Sequence, residues 1–285
     1  MFSIFRTSFL KAGRTEGPPR LVSPIFCNSR SSVRDPEQSF GAKNSHLTPG
    51  LCYIVAMEFK QGTLHPLTLV ADEIVGILSD MGFVVATGPE LEDEWHNFDA
   101  LNVPKDHPAR DMQDTFWIKN TDGKVLRTHT SPVQVRYMQT HTPPYAIIVP
   151  GKVFRNESTD SGHEMQFHQL EGLMLGRDIS VAHLKGVLLE FFKQFLGPDA
   201  DIRMRPSFFP FVEPGFEVDV FHNGKWFEVL GAGMVHPQVL KNAGVDSNVW
   251  QGFAFGFGLD RLMMIKTGVP DVRLSYQGDL RLNQF

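Results

Sequence analysis

The stretch VFRNESTDSGHEMQFHQLEGLML holds the side chains of this chain that are best suited to bind a charged substrate. It predicts two strands, Val153–Glu157 and Phe167–Leu175, joined by a polar loop. Alternate side chains of a strand share one face. If the two faces align, one surface combines a guanidinium, two carboxylates, a carboxamide and an aromatic ring, from Arg155, Glu157, Phe167, Gln169 and Glu171.

These residue types suit a substrate that carries both a phosphate and an amine. Arginine can contact a phosphate through two parallel hydrogen bonds. An aromatic ring can stack on a base, and Glu or Gln can hold an ammonium group. The spacing alone is equally compatible with an exposed hairpin that bears ordinary surface charges, so both interpretations stay open at this point.

Two segments resemble motifs of the class II aminoacyl-tRNA synthetases. FRNE, His163 and FHQLE are similar to motif 2, and FHQLEG is closer still to the α-subunit family of the phenylalanine enzymes. GFGLDRL, a glycine-rich strand that enters a helix, resembles motif 3. The resemblance implies that Arg155 holds the α-phosphate of ATP and that His163 and Arg261 contact its other groups. Phe167 would stack on adenine opposite Arg261, while Asp260 departs from the Glu that the family usually has there.

RTHTSP, FPFVEP and GFAFG resemble segments of the same α-subunit family and imply an amino-acid site. Its head-group ligands would be His129, Ser131, Gln169 and Glu171, supported by Gln134 and Glu157. Its side-chain pocket would be lined by Phe209, Phe211 and Ala254. Glu213 corresponds to a magnesium ligand shared with the family's β subunit. On the residues alone, the two phenylalanines could be core, and Ser131 with Gln134 also forms a capping-box pattern at a helix start.

The resemblance covers residues 62–285 and implies a catalytic subunit that activates L-phenylalanine with Mg-ATP and charges tRNA-Phe. The implied partner is a β subunit in an α2β2 heterotetramer, and HPLTLVADEIVGILSDMGFVVATGP resembles motif 1, a subunit-interface motif. Residues 1–56 are too short and irregular for the family's tRNA-binding helical arm, which makes tRNA charging less firmly implied than adenylate formation. Two alternatives remain: a free-standing class II paralogue that uses another acceptor, and a non-catalytic regulatory subunit.

Composition excludes several other classes. The net charge of −5 over 285 residues argues against a surface that coats nucleic acid, although a local basic patch stays possible. No apolar run reaches the length of a transmembrane helix, so no membrane partner is expected. Residues 57–285 lack cysteine, which excludes a disulfide framework or a Cys-ligated zinc site there. The HExxxH spacing at His163 is not the zinc spacing HExxH, and neither a complete dinucleotide fingerprint nor a P-loop is present.

The N-terminal segment, residues 1–56, differs in composition from the rest. Up to Arg34 it has six basic residues against one acidic residue, Glu16, and it is rich in serine. This composition is typical of an organellar transit peptide, whereas an irregular leader before a start at Met57 fits equally. We predict an irregular or disordered leader, a catalytic domain at residues 57–285, and a cytoplasmic location, with mitochondrion or plastid as the alternative.

The resemblance implies that the elements positioning these residues form the class II catalytic core, an antiparallel sheet flanked by helices, and hence an α+β fold. Helical periodicity and end signals predict helices at His65–Met81, from Pro132 to about Gln139, and at Asp178–Leu196, with a shorter helix at Glu90–Leu101. Asn223-Gly224 predicts a hairpin between Phe216–His222 and Lys225–Val235. GFAFGFG predicts a strand that runs into a final helix.

Overall fold

A computed structural model describes residues 62–110, 115–279 and 282 of the chain. The predicted leader and the predicted start of the catalytic domain at Met57 lie outside the described residues. Nine strands occur in the described part: β1 Val84–Val85, β2 Leu91–Asp93, β3 Lys124–Leu126, β4 Tyr145–Phe154, β5 Gln166–Gly176, β6 Asp201–Phe209, β7 Val212–His222, β8 Lys225–Val235 and β9 Gln251–Gly258. The helices are α1 Pro66–Asp80, α2 Glu94–Asn97, α3 Ser131–Thr140, α4 Val181–Leu196, α5 Pro237–Asn242 and α6 Leu259–Thr267.

Seven of these strands form one sheet in the order β1-β4-β5-β9-β8-β7-β6, and β2 pairs with β3 separately. All neighbours in the large sheet are antiparallel except β1 and β4, which run parallel. The centre of the sheet joins β5 to β9, strands that lie about 80 residues apart in sequence. This non-local pairing brings the motif 2 strand beside the motif 3 strand, and it confirms the predicted α+β class with an antiparallel sheet.

The helices α1, α4 and α6 cover one face of the sheet. Their apolar side chains pack on the alternate residues Phe253, Phe255 and Phe257 of β9 in one buried core. The helices α3 and α5 pack on the opposite face, against a second core that includes Val149 and Leu173. Because α3 and α5 cover only part of that second face, its remaining positions are free to carry the polar residues of the site.

Two predicted helices and the predicted hairpin form close to their expected bounds for the expected reasons. In α1 the apolar positions at helical spacing are buried, and Gly82 beyond its end has a φ of 96°. In α4 Ser180 and His183 form a reciprocal capping box. The hairpin of β7 and β8 turns at Asn223-Gly224, where both residues have positive φ, of 49° and 77°, as a tight hairpin requires.

Two local predictions are wrong. The first strand of the motif 2 hairpin is not Val153–Glu157 but β4, because the apolar run YAIIV joins the sheet and the chain leaves it at Phe154. The segment predicted as a helix at Glu90–Leu101 begins as strand β2. Asp93 then caps the single turn of α2, and a 3-10 turn follows at Asp99–Leu101.

Candidate active site

Glu171 is the centre of the polar site. It lies on β5 with only 4% of its surface exposed, and its carboxylate accepts four hydrogen bonds. Oε1 accepts from the Thr130 backbone N–H at 3.1 Å and from the Gln169 amide at 3.2 Å. Oε2 accepts from the Ser131 hydroxyl at 2.6 Å and from the Gln134 amide at 2.8 Å. The carboxylate therefore orients the side chains of Ser131, Gln134 and Gln169.

These bonds correct the predicted capping box. Thr130, not Ser131, is the N-cap residue of α3, and it makes no side-chain capping bond. Ser131 and Gln134 turn toward Glu171 instead. A buried carboxylate offers these donors a charge-assisted hydrogen bond, which is stronger than a bond to a neutral group. The structure thus brings Ser131, Gln134, Gln169 and Glu171 together, as the resemblance implies.

Three buried polar atoms beside Glu171 have no hydrogen-bond partner among the described residues. They are Nδ1 of His129, Oγ1 of Thr130 and Oε1 of Gln169. Buried polar atoms are nearly always paired, so an unpaired set at one place indicates a site that a polar ligand completes. The Gln169 oxygen is an acceptor and suits an ammonium N–H.

The ionisation of this site follows from burial. Burial raises the pKa of Glu171 to about 7, and the hydrogen bonds from Ser131 and Thr130 oppose that rise. Burial, together with the positive charges of Arg155 and Arg127, lowers the pKa of His129 to about 3. His129 is therefore neutral at neutral pH, and Glu171 is the group of this cluster that titrates there.

Glycines form the floor beside Glu171 on the same sheet face. Glu171 pairs with Gly256 on β9, which in turn pairs with Gly231 on β8. A Cβ added at Gly256 would lie 2.8 Å from Cγ of Glu171, and one added at Gly231 would lie 3.0 Å from Cζ of Phe209. The first distance is too short for a real Cβ, and the second is tighter than most real Cβ contacts. The close approach of Glu171 and Phe209 to these two strands therefore depends on glycine.

Two aromatic rings stand over this glycine floor. Phe209 ends β6, and its ring stacks on that of Phe211 with centroids 5.9 Å apart. Phe211 lies 6.5 Å from the ring of His129. Ala254 lies two residues before Gly256 on the same face of β9, and it packs with Phe211 against the second core. The structure therefore places the predicted pocket residues beside the buried polar cluster, with an apolar surface for a ring.

Arg155 and Phe167 lie next to each other at the other end of the site. The guanidinium of Arg155 sits 4.9 Å from the centroid of the Phe167 ring, and its Nε donates to the backbone oxygen of Thr128 at 3.2 Å. Arg155 lies just beyond β4, so the predicted sharing of a strand face with Glu157 is wrong. A backbone bond from Arg155 N–H to Met165 O, 2.9 Å long, keeps it beside β5.

The other predicted residues lie at the edges of this arrangement. His163 is exposed in the loop and contacts Asp160, whose oxygens lie 2.9 and 3.0 Å from its Nδ1. Arg261, in the first turn of α6, donates from Nε to the backbone oxygen of Glu228 at 2.7 Å. Glu213 is three-quarters exposed and lies 3.3 Å from Nε2 of His236.

A charged network on the same sheet face was missed by the sequence analysis. Arg205 contacts Glu217, Asp219 and Glu228 at 2.8 to 3.0 Å, and Arg203 donates to Asp219 at 2.5 Å. The bonds from Arg205 and Arg203 lower the pKa of the buried Asp219 despite its burial. Arginines and acids alternate along RMR of β6 and EVD of β7, and this spacing is the signal that could have revealed the network.

A further acidic cluster, at the start of α2, has a structural explanation. Glu92, Asp93 and His96 place potential ligand atoms within 4.8 Å of one another. Arg136 already pairs with both carboxylates, and Asp93 caps α2 through a bond from the His96 N–H at 2.8 Å. The cluster is thus neutralised by an arginine and ties β2 to α3.

Comparisons with known proteins agree on one family. Residues 53–285 match the family model described as "tRNA synthetases class II core domain (F)". The phenylalanine–tRNA ligase α subunit of Dehalococcoides mccartyi is 49% identical over 270 residues, which span 87% of this chain and 76% of that protein. The corresponding subunit of Edwardsiella ictaluri is 54% identical over 228 residues, spanning 79% and 69%.

A solved structure supports the fold. Pyrrolysyl-tRNA synthetase from Desulfitobacterium hafniense superposes with a TM-score of 0.60 at 19% identity, over 75% of this chain and 74% of that one. In the described part of the chain, every helix is too short or too polar to cross a membrane. The chain therefore belongs to the class II aminoacyl-tRNA synthetases, within the family of phenylalanine–tRNA ligase α subunits.

Proposed function

We propose that this chain is the catalytic α subunit of a phenylalanine–tRNA ligase. It would form phenylalanyl-adenylate and pyrophosphate from L-phenylalanine and Mg-ATP, and the terminal ribose of tRNA-Phe would then attack the mixed anhydride. The observation that carries the proposal is the set of unpaired buried polar atoms at His129, Thr130 and Gln169 beside a buried glutamate. This set would bind the ammonium and carboxylate of an amino acid, and the neighbouring rings of Phe209 and Phe211 would contact its ring.

In this proposal the amino-acid head group lies against Glu171. Gln169 Oε1 accepts from the ammonium group, and neutral His129 bonds a polar atom of the head group. Ser131 is fixed by Glu171, and Gln134 supports that carboxylate. The phenyl ring lies against Ala254 and against the edges of the pocket rings of Phe209 and Phe211. Edge-to-face aromatic contacts add about 0.5–1.5 kcal/mol each beyond the burial of area.

ATP would bind at the Arg155 end of the site. Arg155 would hold the α-phosphate, and Phe167 would stack on adenine opposite Arg261. Glu157, close to Arg155 in the chain, would support the head-group ligands rather than ATP. His163 would contact the outer phosphates from the exposed loop. The carboxylate of phenylalanine attacks the α-phosphate, so no protein nucleophile is required. The residues contribute by holding both reactants in line and by stabilising the charge that develops on phosphate.

Magnesium enters this proposal together with ATP. Mg²⁺ is usually held by one or two carboxylates and by the substrate's phosphates. Glu217 and Glu228 offer carboxylates on the site face, although Arg205 pairs with both of them. The Glu228 backbone also anchors Arg261. When bound, the ion neutralises phosphate charge. Glu213 is a separate candidate: an exposed carboxylate on the rim of the sheet suits an ion shared with a β subunit.

The assembly and location remain part of the proposal. The family name of the relatives implies a partner subunit, and we propose a β subunit in an α2β2 heterotetramer. A cytoplasmic location is proposed, with mitochondrion or plastid if residues 1–56 act as a transit peptide. We keep residue 57 as the proposed start of the catalytic domain.

The experiment that tests this function is ATP–pyrophosphate exchange with each of the twenty amino acids, with and without a bacterial β subunit. We expect exchange with phenylalanine, and we expect it to increase strongly when the β subunit is added. Exchange with a different amino acid alone would indicate a paralogue that uses another substrate. Absence of exchange in every combination would indicate a regulatory subunit.

The affinity for phenylalanine is expected to depend on the ionisation of Glu171. Only the carboxylate form attracts an ammonium group, and with a pKa of about 7 its fraction falls roughly tenfold between pH 8 and pH 6. The KM for phenylalanine should therefore rise about tenfold over that range. The KM for ATP serves as the internal control and should change less than twofold. A flat phenylalanine profile would remove Glu171 from the head-group site.

The same pKa predicts the opposite trend for stability. The pKa of folded Glu171 lies above its ordinary value of 4.5, so its contribution to the free energy of unfolding is fully present below that value. This contribution is lost as the pH rises through 7. The melting temperature without substrate should therefore fall between pH 5 and pH 8. Added phenylalanine should raise the melting temperature more at pH 8 than at pH 5.

Arg155→Lys is expected to reduce the rate of exchange by about thirtyfold. Lysine keeps the charge but loses the planar fork that contacts phosphate and stacks on Phe167. Loss of a charged hydrogen-bonding contact costs about 2 kcal/mol. Arg177→Lys is the matched control, because Arg177 lies 5.1 Å from the Trp250 ring centroid, outside the proposed site. If both variants retain rates within twofold of wild type, Arg155 does not bind ATP.

A further inference from the structure

A buried side-chain network lies behind the proposed ATP site. Asp260 has 4% of its surface exposed, and both of its oxygens accept hydrogen bonds. Oδ2 accepts from the His168 backbone N–H at 2.7 Å, and Oδ1 accepts from the Tyr276 hydroxyl at 2.6 Å. The same hydroxyl lies 3.2 Å from Nδ1 of His168, and the two rings are nearly parallel with centroids 6.4 Å apart.

The position of this network in the chain gives it a functional meaning. His168 directly follows Phe167, and Asp260 directly precedes Arg261. The pairing of β5 with β9 ends at Gln169 and Gly258, so no backbone pair joins Phe167 to Arg261. Phe167 pairs with Val153 of β4 on its other side, and Arg261 lies in α6. The bond from His168 N–H to Asp260 is the next connection in that direction. Asp260 thus sets the separation between the two residues proposed to enclose adenine.

Tyr276 holds Asp260 from the C-terminal side. It ends a 3-10 helix, Val272–Tyr276, whose first residue donates its N–H to the backbone oxygen of Ser161 at 3.0 Å. Ser161 lies in the same loop as His163. This short helix is therefore bonded both to the motif 2 loop and, through Tyr276, to the residues beside Phe167 and Arg261.

Packing alone does not fix the Tyr276 ring. Tyr276, His168 and Ser275 line a cavity of about 340 Å³ that opens between α1, α6 and the 3-10 helix. One side of the ring consequently lacks the close contacts of a filled core. Its orientation depends on the hydroxyl's bond to Asp260, which is charge-assisted and short.

We propose that Tyr276 is a positioning residue for ATP, acting through Asp260 to fix the distance between Phe167 and Arg261. This inference rests on the proposed adenine site of the synthetase. Asp260 is one methylene shorter than the Glu that the family usually carries at this place, and the tyrosine hydroxyl occupies the volume beside it. A longer acidic side chain at residue 260 and loss of the hydroxyl at residue 276 should therefore compensate for each other.

The test uses the full chain with its β subunit and compares Tyr276→Phe with Tyr145→Phe. Tyr145 is the matched control, because its buried hydroxyl has no hydrogen-bond partner in the described part of the chain. We expect Tyr276→Phe to raise the KM for ATP and the Kd for ATP by five- to tenfold. The KM for phenylalanine should change less than twofold, and Tyr145→Phe should change none of these constants by more than twofold.

A double variant distinguishes positioning from a general loss of structure. Asp260→Glu alone should also raise the KM for ATP, because the added methylene meets the Tyr276 hydroxyl. Asp260→Glu combined with Tyr276→Phe should return it to within about threefold of wild type. Equal losses for ATP and phenylalanine, or a double variant as impaired as the product of the single changes, would overturn the proposal.

The Kd for ATP separates this inference from the proposed function. If the wild-type complex binds ATP but activates no phenylalanine, the proposed function fails while the ATP comparison among variants still decides the role of Tyr276. If the wild-type complex binds no ATP, both the adenine site and the positioning role are overturned.

Discussion

Glu171→Gln is expected to reduce kcat/KM for phenylalanine by about a hundredfold. Glutamine has nearly the same shape, but one of its two terminal atoms becomes an NH₂ donor. Whichever way the amide turns, that donor faces the two donors that now bond one carboxylate oxygen. Leaving buried donors unpaired costs about 1–3 kcal/mol, and the charge that attracts the ammonium group is also lost. Pyrophosphate exchange at varied phenylalanine concentration measures the effect.

Glu190→Gln supplies the control for this change. Glu190 is exposed on α4 and accepts a hydrogen bond of 2.8 Å from the Gln194 amide one turn later. Because it lies outside the site, its replacement should leave exchange within twofold of wild type. We also expect the KM for ATP to stay nearly constant in Glu171→Gln, because Arg155 and Phe167 are untouched. Wild-type activity in Glu171→Gln would show that this carboxylate only supports the fold.

The sequence predicted best those elements whose ends carry local signals. The α4 helix has its capping residue, its apolar stripe and its terminal glycine within one segment, and the β7–β8 hairpin is specified by two turn residues. Strand β4 was misplaced, because a polar continuation with alternating charges resembles a strand as closely as the apolar run before it does. There the tertiary context decided, since only the apolar run has a sheet neighbour on both sides.

The candidate site was predicted as a set of residues but not as an arrangement. The resemblance pointed to Ser131, Gln134 and Glu171, yet local reasoning gave the first two a capping role. What decides between the roles is a carboxylate about 40 residues later in the chain, and spacing within one segment does not reveal such a partner. The arginine network of β6 and β7 was missed for a different reason, because each strand alone resembles a solvated charged face.

Asp260 illustrates the same limit at a single position. In the sequence it is only a shorter residue than the resemblance leads one to expect. Its compensation comes from Tyr276, sixteen residues later and on the far side of α6. No periodicity links the two positions, so the pair becomes visible only when the helix and the 3-10 turn are placed in space.

Gly256→Ala is expected to reduce phenylalanine activation by ten- to a hundredfold. The added Cβ would lie 2.8 Å from Cγ of Glu171 and 3.2 Å from Nε2 of Gln169. Glu171 is held by four hydrogen bonds and has little room to retreat, so the site must deform. Overpacking of this kind costs about 1–3 kcal/mol, and each 1.36 kcal/mol corresponds to a factor of ten in rate. Exchange kinetics with phenylalanine measure the loss.

Two companion variants make the interpretation of Gly256→Ala specific. Gly186→Ala adds a methyl group on α4, where a new Cβ meets nothing within 4 Å. It should leave activity unchanged and stabilise the protein by about 0.5–1 kcal/mol. Ala254→Gly should act in the opposite direction, because it enlarges the pocket. It should allow activation of para-chloro- and para-bromo-phenylalanine and retain that of phenylalanine. Ala254→Val should instead exclude phenylalanine. If Gly256→Ala keeps full activity and Ala254→Gly gains no larger substrate, the side-chain pocket does not lie over this face of β9.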